Sequence, residues 1–127
     1  MTDLDKDGLR LLELLVEMLP HVTPGRPNTY VTYKEVHLRL DLPLKGRYGK
    51  SLQIQGLNSL AGWAFENNLP AISGLIISKS TKRPGSGYFE LYKKDEDDLS
   101  WWTKEIEDSQ KRREEFQRYL SPLQESV

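Results

Sequence analysis

The stretch TYKEVHLRLDLPLKGRYGKS, residues 32–51, decides the fold of this chain of 127 residues. Thr32 is a residue type that caps helix N-termini, and Glu35, three residues later, completes a capping box. The short helix that they open ends near Pro43, a glycine-rich turn follows, and a second helical pattern begins at about residue 49. A capped helix, a turn and a second helix are the order of a helix-turn-helix.

The residues after this stretch predict a β-hairpin. Residues 72–77 form a short β-branched run, which is typical of a strand. Residues 82–87 contain a proline and two glycines and predict a turn, and the aromatic residues of 88–92 predict the partner strand. The predicted fold class is therefore α+β, a winged-helix-like helix-turn-helix with a two-stranded hairpin. Gly56 and Gly62, within the second helical pattern, indicate close packing or a break.

Helical patterns flank this region on both sides. Leucines at helical spacing predict an N-terminal helix over about residues 5–19. Acid-before-base pairs four residues apart predict one long C-terminal helix over about residues 98–120, with its tryptophan end packed and its far end exposed. We expect a winged-helix-like domain over 1–94 that includes the N-terminal helix. Residues 95–127 then form a charged helix and tail.

Composition narrows the possible functions. The absence of cysteine excludes disulfides, thiolate nucleophiles and zinc fingers. No apolar run approaches the roughly 20 residues that span a bilayer, and the first residues are acidic, so we expect a cytoplasmic protein without a membrane partner. The net charge is −1, but residues 26–92 carry nine basic and four acidic residues. This basic centre favours an anionic partner, DNA in particular.

The candidate contacts to nucleic acid fall within the basic centre. Cations at the start of the second helix and at the predicted hairpin tip would contact phosphates, and glutamine and asparagine amides would contact adenine edges in the major groove. The alternatives are solvated cations, a tip charged for solubility, and a tyrosine that only packs. The candidate nucleic-acid-binding residues are Tyr33, Arg47, Lys50, Gln53, Gln55, Asn58, Lys79, Lys82 and Arg83.

Two short motifs in this region, Thr32-Tyr33 and Gly46-Arg47-Tyr48-Gly49, resemble a known family. They resemble the C-terminal winged-helix domain of O6-alkylguanine alkyltransferases and alkyltransferase-like proteins. The resemblance implies DNA binding, with Arg47 in the place of the arginine finger that displaces a base. Ala71 stands where that family has its nucleophilic cysteine, so the resemblance implies no alkyl transfer.

A second resemblance covers residues 79–89. This stretch is similar to the pattern K-x-T-G-x-P-G-x-G-F of small uncharacterised bacterial domains, some of them beside HNH-type nuclease or defence genes. It keeps Lys79, Thr81, Pro84 and Gly85 of that pattern, and it also keeps Gly87 and Phe89. The resemblance implies a regulatory role in a mobile-element, defence or phage–host setting.

Two hypotheses follow, and neither involves catalysis. The first is a DNA-binding, winged-helix regulator. The second is a protein-interaction module that inhibits or regulates a nucleic-acid-processing complex, or self-associates, through its C-terminal helix. There Trp101 and Trp102 are the candidate contacts, and because adjacent helical residues diverge by about 100°, one should be core and the other exposed. The two histidines are isolated, so we expect no metal, no cofactor and no enzyme.

Overall fold

A computed structural model describes the backbone of residues 4–125 and the side chains of residues 4–120. The described chain is mostly helical, with one small two-stranded sheet, which agrees with the predicted α+β class. The helices are α1 (Lys6–Met18), α2 (Tyr33–Leu40), α3 (Tyr48–Leu52), α4 (Asn58–Glu66), α5 (Ser86–Leu91), α6 (Leu99–Lys111) and α7 (Arg113–Glu125), and the strands are β1 (Val31–Thr32) and β2 (Ile76–Ile77).

The N-terminal helix and the capped helix α2 form as predicted. Asp5 caps α1, and its carboxylate accepts a hydrogen bond from the Gly8 N–H. At the start of α2, the Thr32 hydroxyl accepts from the Glu35 N–H over 3.2 Å, and the Glu35 carboxylate accepts from the Thr32 N–H over 3.3 Å. Both helices therefore begin where local sequence chemistry places their start.

The second helical pattern is broken into α3 and α4 by the segment Gln53–Leu57. Gly56 lies in this segment with φ 125°, a backbone conformation that favours glycine. A Cβ atom at Gly56 would lie 2.8 Å from the backbone carbonyl carbon of Asp7. Close approach to the start of α1 and a positive φ thus both require glycine here, and the predicted helix cannot continue.

The predicted hairpin is wrong. The strands β1 and β2 pair in parallel, with Val31 opposite Ile76 and Thr32 opposite Ile77. Residues 88–92 are not the partner strand, because Tyr88 to Leu91 belong to α5. Their aromatic spacing fits a helix equally well: Phe89 enters the core, while Tyr88 and Tyr92 pack against Trp101.

The C-terminal region is two helices rather than the single long helix that the sequence predicts. The break lies at Arg112, which has φ −104° and ψ 21°. After it, α7 places Phe116 and Leu120 in the core instead of in solvent. The described core cluster thus includes residues from both sides of residue 94, and the division of the chain there stays a prediction.

Polar side chains of the C-terminal helices contact the end of α1 and the turn that follows it. The amide of Gln110 donates to the carbonyls of Leu19 and Val22 over 2.9 and 2.8 Å. The guanidinium of Arg113 donates to the carbonyl of Val16 over 2.9 Å. The Val16 carbonyl lies in the last turn of α1, where carbonyls have no partners within the helix, so Arg113 caps α1. The contacts of Gln110 fix α6 against the turn that follows α1.

Candidate nucleic-acid interface

Two cavities meet at Tyr33, the first residue of α2. The first has a volume of about 220 Å³ and lies between α4, α5 and the loop before α5. The second lies between the start of α3 and the residues after β2. Tyr33, Gln53, Asn58, Ser73, Gly85 and Tyr88 are among the residues that line the first, and Tyr33, Lys34, Tyr48, Gly49, Ser78 and Lys79 are among those that line the second.

Tyr33 holds the loop of residues 78–85 against α2. Its hydroxyl accepts a hydrogen bond from the Gly85 N–H over 2.9 Å. Burial raises the pKa of Tyr33, and the Gly85 N–H offsets part of that rise. The phenol therefore keeps its proton at neutral pH and remains a hydrogen-bond donor at the junction of the cavities.

Two of the three predicted base-contacting amides come together at the first cavity. Gln53 and Asn58 are both exposed and both line it. Residues five apart in a straight helix point about 140° away from each other. The helix is broken between them at Gln53–Leu57, and both residues line the same cavity.

Gln55 is not available to a base. It is buried, and its amide nitrogen donates to the Pro43 carbonyl over 2.8 Å and to the Ser51 hydroxyl over 2.9 Å. The prediction that Gln55 reads base edges is therefore corrected, because its side chain serves the interior of the fold.

The predicted phosphate-binding cations divide into two groups. Arg47 and Lys50 are exposed at the start of α3. They flank Tyr48 and Gly49, which line the second cavity together with the exposed Lys79. We call the residues Tyr33, Arg47, Lys50, Gln53, Asn58 and Lys79 the α3 face.

The other two predicted phosphate-binding cations, Lys82 and Arg83, lie in the second half of the loop of residues 78–85 rather than on a hairpin tip. Lys82 is exposed, with φ 59°. Arg83 forms an ion pair with Asp97 over 3.1 Å, and both side chains are substantially exposed. A surface pair of this kind stabilises by no more than about 1 kcal/mol, but it offsets the charge that Arg83 would offer to a phosphate.

His37 has partners that the sequence did not reveal. One ring nitrogen, Nδ1, lies 2.9 Å from the Tyr33 carbonyl, and the other, Nε2, lies 2.9 Å from the Ser51 hydroxyl. His37 and Ser51 are both buried, so this pair has no access to a substrate. The i to i+4 spacing from Tyr33 to His37 could have indicated the first contact, but Ser51 lies 14 residues away on another helix.

The two tryptophans separate as expected, one in the core and one toward the surface. Trp102 is buried, and its indole N–H donates to the Gly74 carbonyl over 2.9 Å, so the prediction of a protein contact at Trp102 is wrong. Trp101 is half-buried and lies 5.3 Å from the rings of both Tyr88 and Tyr92. Burial, with a smaller effect of Glu105, raises the pKa of Tyr92 to about 12.

Comparison of the chain with protein-family models, curated proteins and solved structures gave no match. The resemblance to alkyltransferase-like domains therefore stays a prediction. Within the described residues, no group of three or more histidine or acidic side chains could hold a metal ion. No helix between residues 4 and 125 has both the length and the apolar character that crossing a membrane requires.

Proposed function

We propose that the chain is a non-catalytic DNA-binding protein that uses the α3 face. The observation that carries this proposal is the convergence at Tyr33. Two exposed amides, Gln53 and Asn58, share one cavity with its ring, and Lys79 and the start of α3 share the adjoining one. Amides and hydroxyls contact base edges, and cations contact phosphates, so the face combines the two kinds of contact that DNA binding needs.

In this proposal α2, the turn and α3 act as a helix-turn-helix, and the loop of residues 78–85 takes the place of a wing. The hydrogen bond from Gly85 to Tyr33 supports that role, because it fixes the loop to the first residue of α2. Lys79, at the near end of the loop, and Arg47 and Lys50, at the start of α3, contact the phosphate backbone. These contacts position the protein and do not depend on base sequence.

Sequence preference, in the same proposal, comes from the first cavity. The Tyr33 hydroxyl is a donor, and the amides of Gln53 and Asn58 each supply donors and an acceptor. A base edge presented at the cavity mouth meets all three groups. The Pro84 ring and the Tyr88 side chain supply apolar wall around them.

Binding of a fluorescent DNA duplex to charge-reversed variants tests the proposal. Arg47→Glu, Lys50→Glu and Lys79→Glu should each weaken binding about tenfold at low salt. Lys104→Glu and Lys111→Glu make the same charge change at exposed positions of α6 and should leave affinity within about twofold. Equal losses in both groups would show that the effect is net charge and not the α3 face.

A second candidate function, protein binding, is favoured by an aromatic surface around Trp101. Phe65, which belongs to this surface, is 46% exposed. Phe65 packs edge-on to Tyr92, whose ring in turn contacts Trp101. Half-buried aromatics of this kind are frequent hot spots of protein interfaces.

The two functions are separable by one pair of variants. If protein binding is the function, the purified Arg47→Glu variant still captures the partner protein, whereas the Trp101→Ala variant does not. Undiminished capture by Trp101→Ala would contradict the second candidate. Thermal unfolding of Trp101→Ala serves as the control for folding, since Trp101 also packs on Tyr88.

A further inference from the structure

A buried polar network centred on Ser51 holds the turn that leads into α3. The Ser51 hydroxyl oxygen lies 2.9 Å from each of three nitrogens: the Lys45 backbone N–H, the Gln55 amide and Nε2 of His37. Ser51 has no exposed surface, and His37 is 3% exposed. Three separate parts of the chain thus meet at one hydroxyl inside the protein.

Counting donors and acceptors assigns the direction of each hydrogen bond. A serine hydroxyl donates one hydrogen bond and accepts two. Lys45 and Gln55 can only donate to it, and the Pro43 carbonyl is a distant 3.5 Å away, so the Ser51 hydroxyl donates to Nε2 of His37 at 2.9 Å. The imidazole proton then lies on Nδ1, where it reaches the Tyr33 carbonyl at 2.9 Å. With this assignment each ring nitrogen of His37 has a hydrogen-bond partner.

The network secures the backbone of the turn through side chains. The Pro43 carbonyl accepts from the Gln55 amide over 2.8 Å, and the Lys45 N–H donates to Ser51. Between these anchors and α3 stands Gly46, with φ 89° and open space around it. Arg47 follows directly and occupies the N-cap position of α3.

Burying polar groups is costly unless each is paired, whereas apolar side chains would fill the same space without that cost. A buried polar network in which every group is paired makes the surrounding structure rigid and fixes it in one geometry. Here the fixed geometry is that of the turn carrying Lys45 and Arg47. We infer that His37 and Ser51 are positioning residues that hold this turn in the conformation in which its cations meet DNA phosphates, an inference that rests on the proposed function.

The first test is a mutant cycle on DNA affinity. Ser51→Ala removes the acceptor of the Lys45 N–H, and we expect binding to weaken about tenfold. In a Lys45→Ala/Arg47→Ala background the same change should cost less than about twofold, because the cations that it positions are gone. Equal losses from Ser51→Ala in both backgrounds overturn the inference and leave the proposed function standing.

The second test needs no DNA. Amide hydrogen exchange at Lys45 should speed up about tenfold or more in Ser51→Ala and in His37→Leu. His37→Gln supplies a carbonyl oxygen that can accept from the Ser51 hydroxyl, so protection at Lys45 should be largely restored. The amides of Leu12 and Leu15 in α1 report whether the core remains folded.

The two tests separate the ways in which the account can fail. Unchanged exchange at Lys45 in Ser51→Ala and His37→Leu, with α1 still protected, overturns the inference whatever the chain binds. A wild-type chain that binds no duplex at low salt contradicts the proposed function itself, while the exchange result at Lys45 is unaffected.

Discussion

The Tyr33 hydroxyl accepts a hydrogen bond from the backbone N–H of Gly85, 52 residues away in the sequence and 2.9 Å away in space. This contact joins the first residue of α2 to the loop of residues 78–85. Both cavities of the α3 face have Tyr33 in their walls. The hydrogen bond therefore helps to shape the whole proposed interface.

Removing the Tyr33 hydroxyl should cost stability. Tyr33→Phe leaves the Gly85 N–H without its acceptor, and we expect the free energy of unfolding to fall by about 1–2 kcal/mol. Tyr48→Phe removes a hydroxyl from the neighbouring helix α3 and should change it by less than about 0.5 kcal/mol. Urea denaturation measures both, and equal values for the two variants would count against the Tyr33–Gly85 contact.

Two glycines provide a matched test of the break between α3 and α4. Gly56→Ala places a Cβ against the backbone of Asp7 at a residue with φ 125°, so we expect a loss of about 2–4 kcal/mol. Gly49→Ala lies in α3 with nothing within 4 Å of its Cβ and should stabilise the protein by up to about 1 kcal/mol. A continuous helix would give similar results at both positions in chemical denaturation.

Local chemistry explains what could be predicted from the sequence. The capping box of Thr32 and Glu35 lies within four residues and forms as expected. The leucine stripe of α1 likewise needs only its own spacing, and Leu11, Leu12 and Leu15 are fully buried. Patterns that involve only neighbouring residues can be recognised in a single sequence.

Features that depend on distant residues could not be predicted. The positive φ of Gly56 is explained only by its contact with Asp7, which lies in another helix. Strand β1 pairs with β2, which lies 45 positions further along the chain. The aromatic run at residues 88–92 fits a strand and a helix alike until Trp101 packs against it. The prediction for Gln55 fails for the same reason, because its partner Pro43 lies across a turn.

The tyrosines of the aromatic cluster should make stability fall at alkaline pH. Burial raises the pKa of Tyr92 to about 12 and the pKa of Tyr88 well above 10.0, its ordinary value. The folded state then holds these protons more tightly than the unfolded state, so the free energy of unfolding is unaffected below pH 10 and decreases between about pH 10 and 12.

Alkaline denaturation with ultraviolet detection of phenolate checks this pH dependence. Tyr92→Phe removes one of the late-titrating phenols and should make the decline above about pH 10 shallower. A phenolate titration in which every tyrosine of the native protein ionises near its ordinary pKa would contradict the burial of Tyr88 and Tyr92.

The amides of Gln53 and Asn58 at the first cavity should control the preference for particular DNA sequences rather than the overall affinity for DNA. Gln53→Ala and Asn58→Ala should reduce the affinity difference between preferred and random duplexes by about 1–3 kcal/mol, without changing the salt dependence. Gln117→Ala removes an exposed amide from α7 and is the matched control. If random duplexes lose as much affinity as preferred ones, the amides do not read bases.

The salt dependence of duplex binding tests the central claim most directly. If Arg47 and Lys50 contact phosphates, the logarithm of the binding constant of the wild-type protein falls linearly with the logarithm of salt concentration. Arg47→Ala and Lys50→Ala should each flatten that slope by about 0.9, while Lys104→Ala on α6 leaves it unchanged. Absence of wild-type binding even at low salt, or identical slopes for all four proteins, would contradict DNA binding through the α3 face.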